Sequence, residues 1–420
     1  MANPAQARPL RPVGRPASAI IEDVRRVRAD GALRPGRLAA RFALRPPRRS
    51  ADETGQRHAT WLELFFDLVF VLAMGAVVGR LDHVLVPSLP TLLAAGGLFV
   101  VVQFAWAGQV FYDTRYDPDD TQHRLLVLVA VAGAGALTLG VSGAPHSVLL
   151  PVGYLVVRGV LLLLYLRARP SSAAAREVAT VYLTGFGVGW LIWLASLAVP
   201  ASVRPAVWAV AMTVELATPW LGLRRLSRSP VDVVHLPERM GQFAIIVLGS
   251  ALANVLAAVP IHPGPRMAAA AAAAFAIPAS VWWVYTTFIN TGLALTRLRG
   301  GQRYAYLHLP MSTGLLLLGW SLGEVLRQID ANARTIPLAL RLILAASLVA
   351  WMLCGLGLNW LSARSPGTRR IALTGGGIGA VTAIAVAVPH PFPMLLLVAA
   401  TLGGYAVLLS RHLVGMAKAS

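Results

Sequence analysis

The chain has 420 residues, of which 56% are hydrophobic and only 13% charged, with a mean hydropathy of +0.65 and a formal charge of +19. So little charge over such a length excludes an ordinary soluble domain and points to an integral membrane protein. One cysteine, Cys354, excludes an internal disulfide framework and a cysteine-based zinc site.

Residues 1–57 form a unit of their own, with 13 arginines against 5 acidic residues and prolines at positions 4, 9, 12, 16, 35, 46 and 47. No apolar stretch of signal-peptide length follows the basic residues. The composition predicts a disordered, arginine- and proline-rich cytoplasmic tail that touches anionic lipid headgroups. Phe42 is its sole aromatic side chain, too few for base stacking, so no nucleic-acid partner is expected. Ile20, Ile21, Val24 and Val27 would share one side of a short helix suited to adsorption on the bilayer surface.

Beyond the tail, apolar stretches recur at about 61–80, 89–112, 125–143, 147–166, 178–198, 205–223, 240–259, 267–294, 307–326, 337–361, 371–389 and 392–411. They predict an all-α polytopic membrane bundle of about twelve transmembrane helices with short links and no soluble domain. The first stretch, W-L-E-L-F-F-D-L-V-F-V-L-A-M (Trp61 to Met74), holds Glu63 and Asp67. Their spacing puts both on one helix face, about 6 Å apart along the axis. A lone charge at mid-bilayer costs about 2.5–3.5 kcal/mol even on lenient scales, so such a pair is expected to work or to be paired. For Glu63, favourable contact with the helix macrodipole explains the residue equally well. Arg158 in the fourth stretch and Glu215 in the sixth fall near the midplane; they would pair with each other, or Arg158 with Asp67. Glu324 and Arg341 are expected to snorkel at the outer surface.

Basic residues orient the chain. Arg115/Arg124, Arg167/Arg169/Arg176, Arg224/Arg225/Arg228/Arg239, Arg297/Arg299/Arg303, Arg364/Arg369/Arg370 and Arg411/Lys418 mark alternate loops on the side of the tail. The intervening loops carry only Arg80, Arg204, Arg266, Arg327 and Arg334. The positive-inside rule then places both termini in the cytoplasm of a multi-pass cell-membrane protein. In that frame His235, Glu238 and Arg239 enter helix 7 from the cytoplasm, His308 begins helix 9, and Asp117, Asp119, Asp120 and His123 occupy a cytoplasmic loop. Gly185/Gly189, Gly375/Gly379 and the Ala268–Ala274 run read as helix-packing surfaces. Val152-Gly153-Tyr154 has the letters of a potassium filter without its flanks and reads as ordinary helix.

The chain weakly resembles itself at an offset of 177 residues: His58, Phe66, Trp106, Phe111 and Thr114 match His235, Phe243, Trp283, Phe288 and Thr291. A duplication would give two parallel six-helix halves, 58–234 and 235–420; chance matching of tryptophans is the alternative.

Four blocks resemble the low temperature requirement A family (LtrA) of bacterial multi-pass membrane proteins. They are L-E-L-F-F-D-L-V-F-V (Leu62 to Val71), W-x-G-x-x-F-Y…D-P-D-D (Trp106 to Asp120) and H-L-P-E-R-M-G-Q-F-A-I-I-V-L-G (His235 to Gly249). The fourth is V-W-W-V-Y (Val281 to Tyr285) with Y-L-H-L-P…G (Tyr306 to Gly314). The resemblance implies the fold and a bacterial inner-membrane location more than a chemistry. Two departures stand out: Ser250 replaces the acid that usually closes the third block, and Thr286/Thr287 stand where the fourth usually brings one.

No Walker A loop, GxSxG elbow, HExxH or strand-linked GxGxxG occurs, so no catalytic residue, metal or cofactor is assigned, and the motifs favour a non-enzymatic role. The leading expectation is a secondary transporter or ion-coupled permease for an unidentified small solute or ion. A membrane-embedded lipid-handling protein or enzyme, and a non-catalytic scaffold or sensor, are the alternatives. Glu63, Asp67, Arg158, Glu215, His235, Glu238, Arg239 and His308 are the candidates for binding or for proton or ion handling.

Overall fold

The computed structural model describes residues 48–49, 60–82, 84–117, 120–227, 235–289, 298–361 and 367–417. The expected tail lies outside them except for Arg48–Arg49, and so do His58, Asp119 and Thr291. Twelve long helices follow in order among the described residues. They are α1 (Trp61–Gly79), α2 (Leu89–Asp113), α3 (Thr121–Ser142), α4 (Leu149–Ala168), α5 (Ala173–Ala195) and α6 (Arg204–Leu221). The second six are α7 (His235–Ala257), α8 (Pro265–Val284), α9 (Leu298–Asp330), α10 (Leu338–Leu361), α11 (Thr368–Ala387) and α12 (Pro391–Ala417). β1 (Arg48–Arg49) and β2 (Tyr116–Asp117) form a two-residue antiparallel bridge.

Eleven of these helices, all except α6, are long and apolar enough to cross a membrane. With 18 residues α6 has the length, about 27 Å, but Arg204, Glu215, two prolines and two tryptophans dilute its hydropathy. Local signals start the helices. Thr60 accepts the Glu63 amide while Glu63 reaches back to the Thr60 amide, a capping box that opens α1. Ser88, Asp120 and Ser172 cap α2, α3 and α5 in the same way, each side chain accepting a backbone amide three residues on.

Helix ends depart from the apolar stretches. α7 begins at His235 instead of 240, and α9 at Leu298 instead of 307. Hydropathy marks the lipid-spanning part, whereas backbone hydrogen bonding continues through polar turns beyond it. His308 therefore lies inside α9 and not at its start. Arg239 likewise leaves the loop charges and lies within α7, fully buried.

The helices pair in a recurring pattern. α1 packs on α2 and α3, α3 on α4, α4 on α5, and α5 on α6. Six places on, α7 packs on α8 and α9, α9 on α10, α10 on α11, and α11 on α12. Contacts of α1 with α7 and α9, and of α2 with α7 and α9, join the two sets. Of the tryptophans matched in the self-resemblance, Trp106 is wholly buried, while Trp283 is 48% exposed and donates to Ser410 Oγ.

Small residues set the closest approaches. A Cβ on Gly153 would fall on the α3 backbone at Leu137, and one on Gly319 would fall on the α7 backbone at Ala251. Gly185 and Gly189 of α5 face Thr218 and Glu215 of α6. Gly375 and Gly379 differ from expectation: both face open space, so they make no packing surface within the bundle. In the alanine run, Ala270, Ala273 and Ala274 are buried at helical spacing beside Met267 and Ile277. Glu324 and Arg341 also depart from the snorkelling expected of them. Arg341 Nη1 donates to the carbonyls of Ala385 (2.7 Å) and Val386 (2.9 Å), and Glu324 accepts from Arg327 and Gln328. The unpaired carbonyls at the end of α11 hold the Arg341 guanidinium inside the bundle.

Candidate functional site

Helix α2 is the centre of the polar architecture. Every residue from Val101 to Val110 is buried, so this stretch is enclosed on all sides by other helices. Two ion pairs flank it.

The first pair joins α1 to α7. Arg239 grips Asp67 through two parallel hydrogen bonds, Nη1 to Oδ2 at 2.8 Å and Nη2 to Oδ1 at 2.9 Å. This fork geometry is the strongest form of carboxylate recognition. Trp106 of α2 adds its indole N–H to Asp67 Oδ1 at 2.7 Å, and its ring lies 4.2 Å from that of Phe243. Arg239 Nη1 also donates to Gln242 Oε1 at 2.8 Å. Glu63, one turn before Asp67, brings Oε2 to 3.6 Å from His235 Nε2 and 3.9 Å from Arg239 Nε, while still serving the α1 capping box. Glu238 is partly exposed, with Oε2 3.6 Å from His235 Nδ1. Glu63 and Asp67 are 5% and 4% exposed, and His235 and Arg239 are fully buried.

The second pair joins α4 to α6. Arg158 Nη2 and Glu215 Oε2 are 2.7 Å apart, both fully buried. Tyr154, one turn before Arg158, accepts from Arg158 Nη2 and donates to Glu215 Oε2, each at 2.6 Å. The guanidinium also donates to the Phe104 carbonyl of α2 at 3.2 Å and lies 4.5 Å from the Phe186 ring centroid. Two glycines make the room: a Cβ on Gly108 would strike Arg158 Nη1, and one on Gly189 would meet Glu215 Cγ at 2.5 Å. Of the two pairings the sequence allowed Arg158, the structure has the one with Glu215.

The stretch of α2 from Phe104 to Gly108 thus touches both pairs, accepting from Arg158 at the Phe104 carbonyl and donating to Asp67 from Trp106. His308 belongs to neither. Its Nδ1 contacts the Tyr304 carbonyl at 2.7 Å, which fixes the proton there and leaves Nε2 to accept from the Tyr285 hydroxyl at 2.9 Å. Tyr285 opens a π-helical turn, Tyr285–Ile289, that widens the end of α8.

Five of the eight candidates therefore come together around Asp67, two form the second pair, and His308 stands with tyrosines. Several partners escaped the sequence reading. Trp106 and Gln242 are legible in the sequence as motif residues but not as partners of the ion pair, and Tyr154 reads as ordinary helix. Asp113 is buried between Gln109 Nε2 at 3.0 Å and His123 Nε2 at 3.7 Å, close to the expected acidic loop but inside α2. Asp120, beyond the membrane-spanning part, caps α3 and pairs with Arg167. Its partial burial raises its pKa, but the Arg167 hydrogen bond and the His123 amide outweigh that and hold it below the ordinary carboxylate range.

Comparison with curated proteins finds no match. Residues 58–407 match the family model described as bacterial low temperature requirement A protein (LtrA). That span covers α1 through most of α12 and includes Glu63, Asp67, Trp106, Arg158, Glu215, His235 and Arg239. The extent of the match places this multi-pass membrane chain in the bacterial low temperature requirement A family.

Proposed function

We propose that the chain is a secondary transporter or ion-coupled permease, made of two parallel six-helix halves with both termini in the cytoplasm. The carrying observation is the buried charge cluster that joins α1 to α7, the opening helices of the two halves. The recurrence of the same helix pairings six places on supports the two-half reading. In it, α6 is the twelfth span, tolerated despite its weak hydropathy because its charge is paired with Arg158.

Charge accounting gives the cluster its role. Glu63 and Asp67, nearly buried carboxylates one turn apart, share the permanent cation Arg239, and the ionisable His235 lies between Glu63 and Glu238. Ionisable groups gathered inside a membrane bundle are the usual means of taking up and releasing a proton or a small cation. A site that takes up one charge where two halves meet couples ion binding to their relative movement. The buried stretch of α2 from Val101 to Val110 lies against both ion pairs and is the element able to pass the change to Arg158 and Glu215.

The test is reconstitution in liposomes carrying an internal pH indicator, with candidate solute gradients imposed across the membrane. Wild-type protein should move protons with a solute. Asp67→Asn, in protein that remains monodisperse, should abolish that flux; undiminished flux would remove the cluster from the mechanism.

A further inference from the structure

A groove of about 420 Å³ opens between α2 and α6 at the end where α1 finishes. Leu93, Val101, Trp208 and Met212 form its walls, and exposed Gly97 and Ala209 form its floor. Its α6 wall runs from Pro205 to Leu216, about 16 Å along the axis, a length that suits a fatty-acyl chain. The helices six places on, α8 and α12, pack against each other.

Arg80 lines the groove, and Arg204 directly precedes its Pro205 wall and reaches the carbonyl of Pro145, another lining residue. Arg80 Nη1 donates to the carbonyls of Val141 (3.1 Å), Ser142 (2.9 Å) and Ala144 (2.9 Å). Arg204 Nη1 donates to those of Pro145 (3.1 Å) and His146 (3.0 Å). Carbonyls neutralise no charge, and among the described residues neither guanidinium meets a carboxylate. Arg204 Nε is buried without a hydrogen-bond partner. Both arginines also lie in the loops that carry few basic residues, so topology does not account for them.

We propose that this groove binds an anionic diacyl phospholipid, with one acyl chain lying along Gly97 and Ala209 and the phosphodiester held by Arg80 and Arg204. The apolar channel supplies affinity for the chain, and the two uncompensated cations select the anionic headgroup. This site stands whether or not the Asp67 cluster moves ions.

Native mass spectrometry of the full chain, released from detergent and titrated with lipid, tests it. Phosphatidylglycerol should bind at least about tenfold more tightly than phosphatidylcholine with the same chains, given two guanidinium contacts to the headgroup. A Cβ at Gly97 meets no atom within 4 Å, so a side chain can start there without a clash, and Gly97→Phe places a ring on the groove floor. That variant should melt like wild type in the absence of lipid and lose both lipids. Arg80→Gln combined with Arg204→Gln should retain lipid but lose the preference for phosphatidylglycerol. Soluble glycerol phosphate should not compete. Retained phosphatidylglycerol binding by Gly97→Phe, equal binding of the two lipids by wild type, or competition by glycerol phosphate would each overturn the proposal.

Discussion

Arg158 and Glu215 show how a single residue can be tied to one arrangement. Removing one partner leaves the other as an uncompensated charge in a dry interior, which costs about 3–5 kcal/mol. Replacing both by apolar side chains of similar volume avoids that penalty. Arg158→Met or Glu215→Met alone should therefore lower the melting temperature of the detergent-solubilised protein sharply, and the double variant should recover most of the loss. A double variant no better than the worse single one would show that the pair is not energetically coupled. Reversing the two charges should rescue poorly. Gly108 is flush against the guanidinium, Gly189 against the Glu215 side chain, and Tyr154 accepts from one and donates to the other, so each position is shaped for its own occupant.

At the scale of helices, glycine spacing separates contact from appearance. Gly189 and Gly379 both belong to GxxxG pairs, but only the first meets a neighbour. Gly189→Ala should destabilise the bundle by pressing on Glu215. Gly379→Ala should be neutral or mildly stabilising, since alanine is the better helix former by about 1 kcal/mol and open space receives the methyl group. Equal effects in thermal unfolding would refute the distinction. The same contrast shows what the sequence could tell. Apolar length marks eleven of the twelve long helices among the described residues as membrane spans, and the weaker α6 coincides with the sixth stretch without reaching that standard. Apolar length could not locate the polar helix ends at Leu298 or His235, where backbone hydrogen bonding continues without apolar side chains. Asp67 was legible as a costly charge, whereas its partner Trp106 was not, since an indole N–H 39 residues away leaves no local periodicity. Arginine clamps were equally hidden. Arg80, Arg204 and Arg341 each bind carbonyls at or beyond the end of another helix, a role that composition cannot distinguish from surface charge.

For the whole molecule, the prediction concerns sidedness. In the proposed orientation, with both termini in the cytoplasm, the α4–α5 link lies inside the cell and the α7–α8 link outside. The lone Cys354 is buried, which makes a cysteine-free background easy to build. In that background His262→Cys, between α7 and α8, should react in intact cells with a membrane-impermeant thiol reagent. Ser171→Cys, between α4 and α5, should react only after the cells are opened. The opposite pattern would invert the topology and place the Asp67 cluster near the outer face.

The fork between Arg239 and Asp67 also bears on biosynthesis. The two residues are separated by 172 positions, so at about 5–20 residues per second the ribosome makes the guanidinium roughly 10–30 s after the carboxylate. During that interval the acid lacks the guanidinium that it meets in the folded chain. Trp106 emerges much sooner, and its indole is the earliest group able to shelter the newborn carboxylate. The charged clasp itself can form only once the seventh helix has been made.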